Sequence, residues 1–191
     1  VSGRRRKLND LAGPSARGVA VRGVHTLGEA KHFFRAGRSA LHDPLGKSDM
    51  PTAAARVAAA IENGGRVLVY GDYDVDGTTA AALVTDFLRT HGVEASFFIP
   101  DRYEDGYGLC RRGLDRAVEQ GAGLVIALDC GIAGHAEAAY AQEQGLNLII
   151  ADHHTPQETL PQALAVLDPK RPDDAYPFTE LPVFGQRFQR V

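Results

Sequence analysis

The chain has 191 residues, of which 44% are hydrophobic and 24% charged, and its formal net charge at pH 7 is -3. This composition is that of a globular domain with a real core, and the negative balance argues against a simple basic nucleic-acid binder. It does not argue against an enzyme that gathers carboxylates around divalent ions. The two cysteines, Cys110 and Cys130, lack metal-type spacing and favour a reducing, cytoplasmic setting over a disulfide framework or zinc ribbon.

The first part of the chain is predicted to be a flexible basic segment followed by helices. Residues 1–20 are rich in Gly, Arg and Ser, which is typical of a mobile terminus. Helical stretches are predicted at 28–36 and at 52–63, and the second of these is rich in Ala. A Leu-His-Asp-Pro turn is expected between them at 41–44.

From residue 66 onward, short apolar runs alternate with helical stretches. The predicted strands are 66–70, 95–99, 124–128, 146–150 and 163–167, and the predicted helices are 78–91, 111–120 and 133–144. Such alternation indicates βαβ units and a parallel sheet, and nearly continuous apolar runs indicate strands covered on both faces. The sequence therefore predicts an α/β, Rossmann-like parallel sheet of about five strands with helices on both faces.

An acid or a histidine follows every predicted strand. These residues are Asp72, Asp74 and Asp76 after the first strand, Asp101 after the second, Asp129 after the third, Asp152, His153 and His154 after the fourth, and Asp168 after the fifth. The carboxyl ends of parallel strands meet at one edge, where ligands bind. Because crowded carboxylates repel one another, divalent cations are expected there, and oxygen ligands with one or two imidazoles suit Mn²⁺ or Mg²⁺. Two such ions could activate a water molecule at a phosphoryl centre.

Simpler structural interpretations stay open for parts of this pattern. The acids after the first strand could form a polar loop with an N-cap for the following helix. Gly77 and Thr78 could merely start that helix, or they could present N–H groups to a phosphate. In the next loop, Arg102 could bind phosphate and Tyr103 or Tyr107 could stack on a base, although a packed turn with exposed charges explains this loop equally well.

Four segments resemble the motifs of the DHH phosphoesterases in the form found in the RecJ group. They are Tyr-Gly-Asp-Tyr-Asp-Val-Asp-Gly-Thr-Thr at 70–79, Ile-Pro-Asp-Arg-Tyr-Glu-Asp-Gly-Tyr-Gly-Leu at 99–109, Leu-Asp-Cys-Gly-Ile at 128–132 and Ala-Asp-His-His at 151–154. The resemblance runs from about residue 22 to 180, and the spacing between motifs agrees as well as the motifs do. A DHH domain is therefore expected at 21–181.

The resemblance also implies a role for each matched residue. The expected metal ligands are Asp72, Asp74, Asp76, Asp129 and His153, with Asp72 and Asp152 acting as ligands or as groups that orient them. The expected catalytic residues are His154, which would contact the scissile phosphate, and Asp152. The expected substrate-binding residues are Arg102, Tyr107, Gly77 and Thr78.

The activity that the resemblance implies is Mn²⁺- or Mg²⁺-dependent hydrolysis of single-stranded DNA from 5′ to 3′ in recombination and repair. The expected partners are single-stranded DNA and other repair proteins, without a membrane. Two alternatives stay open: a DHH phosphoesterase for pyrophosphate, cyclic dinucleotides or short oligonucleotides, and a non-catalytic DHH-like scaffold. The segments 104–109 and 41–44 favour the RecJ group. A plain dinucleotide-binding domain is disfavoured, because acids follow the first strand where glycines would be needed.

The sequence departs from the RecJ pattern at two places. Position 168 is Asp where the resemblance leads us to expect Asn. After Leu181 a glycine-rich segment is expected, whereas residues 182–191 form an atypical tail that a reading-frame shift or a cloning artefact would explain. A further aspartate motif is expected beyond Val191, so the DHH domain is expected to be incomplete and the chain alone to be nearly inactive.

Overall fold

The computed structural model describes residues 14–35, 37 and 42–179, and the chain divides into two compact units, with the boundary after His42. In the first unit, helix α1 spans Pro14–Ala20 and helix α2 spans Leu27–Phe34, which confirms the predicted helix at 28–36. Helix α1 occupies the end of the segment expected to be flexible. The rest of that segment and the atypical tail lie outside the described residues.

The second unit is a five-stranded parallel sheet with helices on both faces, which confirms the predicted fold class. After a 3-10 turn at Pro44–Gly46 its elements are α3 (Met50–Glu62), β1 (Arg66–Gly71), α4 (Val75–Thr90), β2 (Glu94–Phe98), α5 (Arg111–Glu119), β3 (Leu124–Leu128), α6 (His135–Glu143), β4 (Asn147–Ala151) and β5 (Ala165–Leu167). The strand order is β2-β1-β3-β4-β5, with parallel pairing throughout. Among the described residues, no helix is long and apolar enough to cross a bilayer.

Alternate side chains of the strands build two separate cores, one on each face of the sheet. Val69 and Ile126 point to the face covered by α3 and α4, whereas Tyr70 and Ala127 point to the face covered by α5 and α6. All five residues of β3 are buried. This double coverage explains why the strands read as continuous apolar runs.

The path of the chain through the sheet creates a crevice at its carboxyl edge. The chain leaves β1 for β2 on one side and later returns to β3 on the other side of β1. The topological switch point therefore lies between β1 and β3. In open α/β sheets, loops diverge at this point and leave room for a ligand.

A buried arginine ties the loop before α3 to the segment after β5. Arg171 is only 8% exposed. Its guanidinium donates to Asp49 Oδ2 and to the Val166 carbonyl oxygen, each at 2.6 Å, and also to Asp173. Asp49 has a φ of 61°, in the left-handed region, and accepts the Val166 N–H at 3.1 Å. These contacts fix the start of α3 against the end of the sheet.

Candidate metal centre

Four buried aspartates directly follow strands at the carboxyl edge of the sheet. Asp72, Asp129 and Asp152 each donate the backbone N–H to the last residue of the neighbouring strand, over 3.1, 2.9 and 3.0 Å. The hydrogen-bond ladder thus continues one residue past β1, β3 and β4. Asp168 follows β5, and each of the four is at most 2% exposed. We call these four residues the acidic row. They bring the acids after β1, β3, β4 and β5 to one edge as predicted, whereas Asp101 after β2 is exposed and accepts N–H groups of its own loop.

The loop after β1 turns directly into α4, which begins at Val75 rather than at residue 78 because Asp74 caps it. Asp74 Oδ1 accepts the Gly77 N–H at 2.9 Å, and its carbonyl oxygen accepts the Thr78 N–H at 3.0 Å and the Thr78 hydroxyl at 2.6 Å. A β-carbon at position 77 would lie 2.6 Å from Asp72 backbone atoms, so this packing requires glycine. The Gly77 and Thr78 donors already have partners, and their contact with substrate stays a prediction.

Two overlapping groups of side chains at this edge could hold metal ions. Within each group, one ligand atom per residue lies within 4.8 Å of the others. The groups are Asp72, Asp74 and Asp129, and Asp129, His153 and His154. His153 Nε2 lies 3.2 Å from Asp129 Oδ1 and 4.0 Å from Asp76 Oδ2. The structure therefore brings together all five predicted metal ligands, with Asp129 at the centre.

Asp129 has the chemistry of a metal ligand. Both of its carboxylate oxygens, and Asp72 Oδ1, are buried and accept no hydrogen bond from the described residues, so the 3.2 Å contact with His153 Nε2 is the contact given above for Asp129. A buried charge without a partner is strongly unfavourable unless it is neutralised. Carboxylate oxygens are the ligands that Mg²⁺ and Mn²⁺ prefer, so the donor set fits a hard divalent cation.

The carboxyl groups of the site differ in their affinity for a proton. Burial, followed by the nearby Asp74 carboxylate, raises the pKa of Asp129 to about 8. Burial also raises the pKa of Asp72, and it raises the pKa of Asp168 to about 6. By contrast, the N–H of Gly77 lowers the pKa of Asp74. The pKa values of Asp74 and Asp129 thus shift in opposite directions, and a cation that binds there competes with protons for the pair.

Asp152 differs from Asp129 because donors surround its carboxylate. Its Oδ2 accepts the Ile132 N–H at 3.0 Å, and its Oδ1 accepts the backbone N–H groups of His153 and His154 at 2.7 and 3.1 Å. The same Oδ1 lies 2.7 Å from His154 Nδ1. Of the two roles that the sequence left open for Asp152, these contacts favour orientation of the histidines over metal ligation.

An arginine and two tyrosines form a series of contacts beside the site. The Arg102 guanidinium lies 5.6 Å from the centroid of the Tyr73 ring. The Tyr73 and Tyr107 rings make an edge contact, with 6.4 Å between their centroids. Tyr107 in turn packs against His154 at 5.8 Å. Of the predicted substrate residues, Tyr107 thus contacts His154 directly, whereas Arg102 connects to the site through Tyr73. Tyr73 was not among the residues predicted from the sequence, although its place between Asp72 and Asp74 in one motif was an available signal.

Comparisons with known proteins identify the family to which the chain belongs. The model of the DHH family, N-terminal domain, matches residues 66–179, more than half of the chain. The chain is 38% identical over 171 residues to the single-stranded-DNA-specific exonuclease RecJ of Bacillus subtilis, covering 90% of this chain and 22% of that protein. It is 40% identical over 130 residues to the RecJ of Salmonella typhimurium, covering 68% and 22%.

A solved structure shows the same relationship. The crystal structure of an exonuclease RecJ bound to manganese matches with a TM-score of 0.62 and 37% identity, covering 70% of this chain and 34% of that chain. The present chain thus spans about a fifth of the length of these two curated relatives, since the match covers 22% of each of them.

Proposed function

Because the chain belongs to the DHH family and is RecJ-like, we propose that it forms the metal-binding part of a phosphodiesterase that degrades single-stranded DNA from the 5′ end in recombination and repair. The observation that supports this most is the acidic row, in which buried carboxylate oxygens of Asp72 and Asp129 accept no hydrogen bond from the described residues. The two relatives compared above are single-stranded-DNA-specific exonucleases, and one solved RecJ binds manganese.

The proposed cofactor is Mn²⁺ or Mg²⁺. It would be held by Asp72, Asp74, Asp76, Asp129 and His153, whose side chains lie at the carboxyl ends of β1, β3 and β4 and are linked through Asp129 and His153. A divalent ion bound among such ligands polarises a phosphoryl oxygen and lowers the pKa of a coordinated water molecule.

The protein groups prepare this site in three ways. Asp74 stays ionised because the Gly77 N–H stabilises its negative charge. Asp129 supplies a second negative charge once its proton is displaced. Asp152 fixes the ring of His154, which we assign to the scissile phosphate, and Arg102 supplies a cation for the DNA backbone.

The experiment that tests the proposal measures Mn²⁺ binding by calorimetry and digestion of 5′-labelled single-stranded DNA on the same protein. Asp74→Asn removes one ligand charge, and Asp86→Asn removes one charge from the exposed side of the same helix. We expect Asp74→Asn to weaken Mn²⁺ binding and cleavage by at least about 10-fold, whereas Asp86→Asn changes neither.

The possible results separate the alternatives. Equal Mn²⁺ binding by both variants would show that Asp74 is not a ligand and would overturn the assignment of the site. Faster cleavage of dinucleotides than of long single strands would replace the exonuclease with a small-substrate phosphoesterase. Mn²⁺ binding through Asp74 without cleavage of either substrate would support the metal site, and it agrees both with the low activity expected of this chain alone and with the scaffold.

A further inference from the structure

The loop between β2 and α5 begins with a tight turn at 101–105, which the aspartates at its two ends close. The Asp105 N–H donates to the Asp101 carbonyl oxygen at 2.9 Å, and Asp105 Oδ2 accepts the Asp101 N–H at 2.7 Å. Asp101 Oδ1 in turn accepts the N–H groups of Tyr103 and Glu104 at 2.7 and 3.1 Å. The backbone between the two aspartates is therefore held in one compact turn.

Arg112, in the first turn of α5, joins this turn to the helix and to the end of β2. Its guanidinium donates to the Asp105 carboxylate and, at 3.2 Å, to Glu104 Oε2. It also lies 5.5 Å from the centroid of the ring of Phe98, the last residue of β2. The Asp105 side chain is only 7% exposed and also accepts the Asp101 N–H, so its ion pair with Arg112 fixes the turn against α5.

The same turn carries Arg102 to the metal centre. Arg102 is the second residue of the turn, and its guanidinium lies 5.6 Å from the centroid of the Tyr73 ring. Tyr73 belongs to the loop after β1, between Asp72 and Asp74. Because an arginine side chain loses much rotamer freedom when it is held in one place, a fixed backbone at its base lowers the cost of keeping the guanidinium there.

We propose that Arg112 is a positioning residue, which acts through Asp105 to hold the 101–105 turn so that Arg102 stays beside the metal centre. The sequence indicated a substrate role for Arg102 and none for Arg112. The two arginines differ in their contacts, since Arg112 is engaged by acids of the turn whereas Arg102 lies against an aromatic ring. The functional consequence, a cation kept in place for the DNA backbone, rests on the proposed function.

The substitution Arg112→Gln removes the ion pair, and Arg111→Gln is the matched control. Arg111 is the preceding residue of the same helix, and its guanidinium lies over the Tyr140 ring, 4.5 Å from the centroid. The first measurement is the exchange of backbone amide hydrogens with water, followed by NMR in the metal-free protein at pH 7. We expect Arg112→Gln to speed exchange at Asp101 and Asp105 about 3- to 5-fold, and Arg111→Gln to leave it unchanged. Equal exchange in the parent and Arg112→Gln would overturn the proposal.

The second measurement separates positioning from a general loss of positive charge. It is a double-mutant cycle on the Kd for a labelled oligothymidine, measured by fluorescence anisotropy in EDTA with Arg112→Gln, Arg102→Gln and both together. We expect Arg112→Gln to raise Kd about 3- to 5-fold in the parent and to have no further effect once Arg102 is replaced. Additive effects would show that Arg112 acts independently of Arg102 and would overturn the proposal.

A conservative variant tests the ion pair itself. Arg112→Lys keeps a cation within reach of Asp105 and should bring Kd back to within about 2-fold of the parent value. A Kd as weak as that of Arg112→Gln would refute the ion pair as the cause. If the parent protein does not bind the oligonucleotide, the DNA-binding part of the proposed function fails, while the exchange measurement still decides whether Arg112 holds the turn.

Discussion

Replacing Asp129 with asparagine should stabilise the metal-free protein at alkaline pH while removing its metal affinity. The parent carboxyl is buried, faces Asp74 and has a pKa of about 8 in the folded state. In the unfolded chain an aspartate has a pKa of about 3.9. Between these two values the folded state holds a proton that the unfolded state releases, so the free energy of unfolding falls as pH rises.

The size of this effect follows from the two pKa values of Asp129. A difference of about four pKa units corresponds to an upper limit of about 5 kcal/mol, reached above pH 8. Over the two pH units from 6 to 8 the limit is about 3 kcal/mol. Asparagine is neutral at every pH, and its amide can donate toward Asp74, so the variant should lack this pH dependence.

Urea unfolding in EDTA, followed by circular dichroism because the chain has no tryptophan, measures the effect. Parent and Asp129→Asn are compared at pH 6 and pH 8, so that contributions from other titrating groups cancel in the difference. Asp86→Asn controls for the loss of a surface charge. If parent and Asp129→Asn lose equal stability between these pH values, the proton is not on Asp129 and the reasoning is refuted. Addition of Mn²⁺ should stabilise the parent and leave Asp129→Asn unchanged.

Three further substitutions test other parts of the structure. Gly77→Ala places a methyl group 2.6 Å from backbone atoms and should lower the free energy of unfolding in urea by about 1–3 kcal/mol. Gly28→Ala, where the nearest atom lies at 3.8 Å, should lower it less. Equal losses of stability would contradict the packing argument. Arg171→Met removes the donors to Asp49 and should lower the free energy of unfolding by about 2–3 kcal/mol in the same assay. A change below about 0.5 kcal/mol would show that the contact is not stabilising. The pKa of about 6 for Asp168 implies that the free energy of unfolding falls as the pH rises from 4 to 6, and Asp168→Asn should abolish this fall. If the variant shows the same fall, a group other than Asp168 titrates in this range.

The sequence was sufficient to predict the sheet and the edge where the acids gather. Strand residues such as those of β3 are buried on both faces, and this leaves a continuous apolar run that is visible without a structure. Because Asp72, Asp129 and Asp152 directly follow strands, parallel pairing alone is enough to bring them together. The order of the strands was not predicted, since each crossover can pass to either side of the strands already formed.

The electrostatic differences between the acids could not be predicted from the sequence. Whether an aspartate keeps its proton depends on the donors that the fold supplies, such as the Gly77 N–H for Asp74. The donor to Asp152 from Ile132 comes from a different loop, and no local pattern signals it. Lys47 gave no signal either: its side chain is buried, and burial lowers its pKa to about 8 although nearby acids oppose that shift.

The strand order also determines when the acidic row can assemble as the protein folds. Strands β1 and β3 are neighbours in the sheet, yet α4, β2 and α5 separate them along the chain. Pairing of β1 with β3 is therefore a long-range contact, which closes slowly compared with a local turn of helix. Affinity for a divalent ion should arise only when this pairing is complete, so a bound ion would favour the finished sheet over partly paired forms.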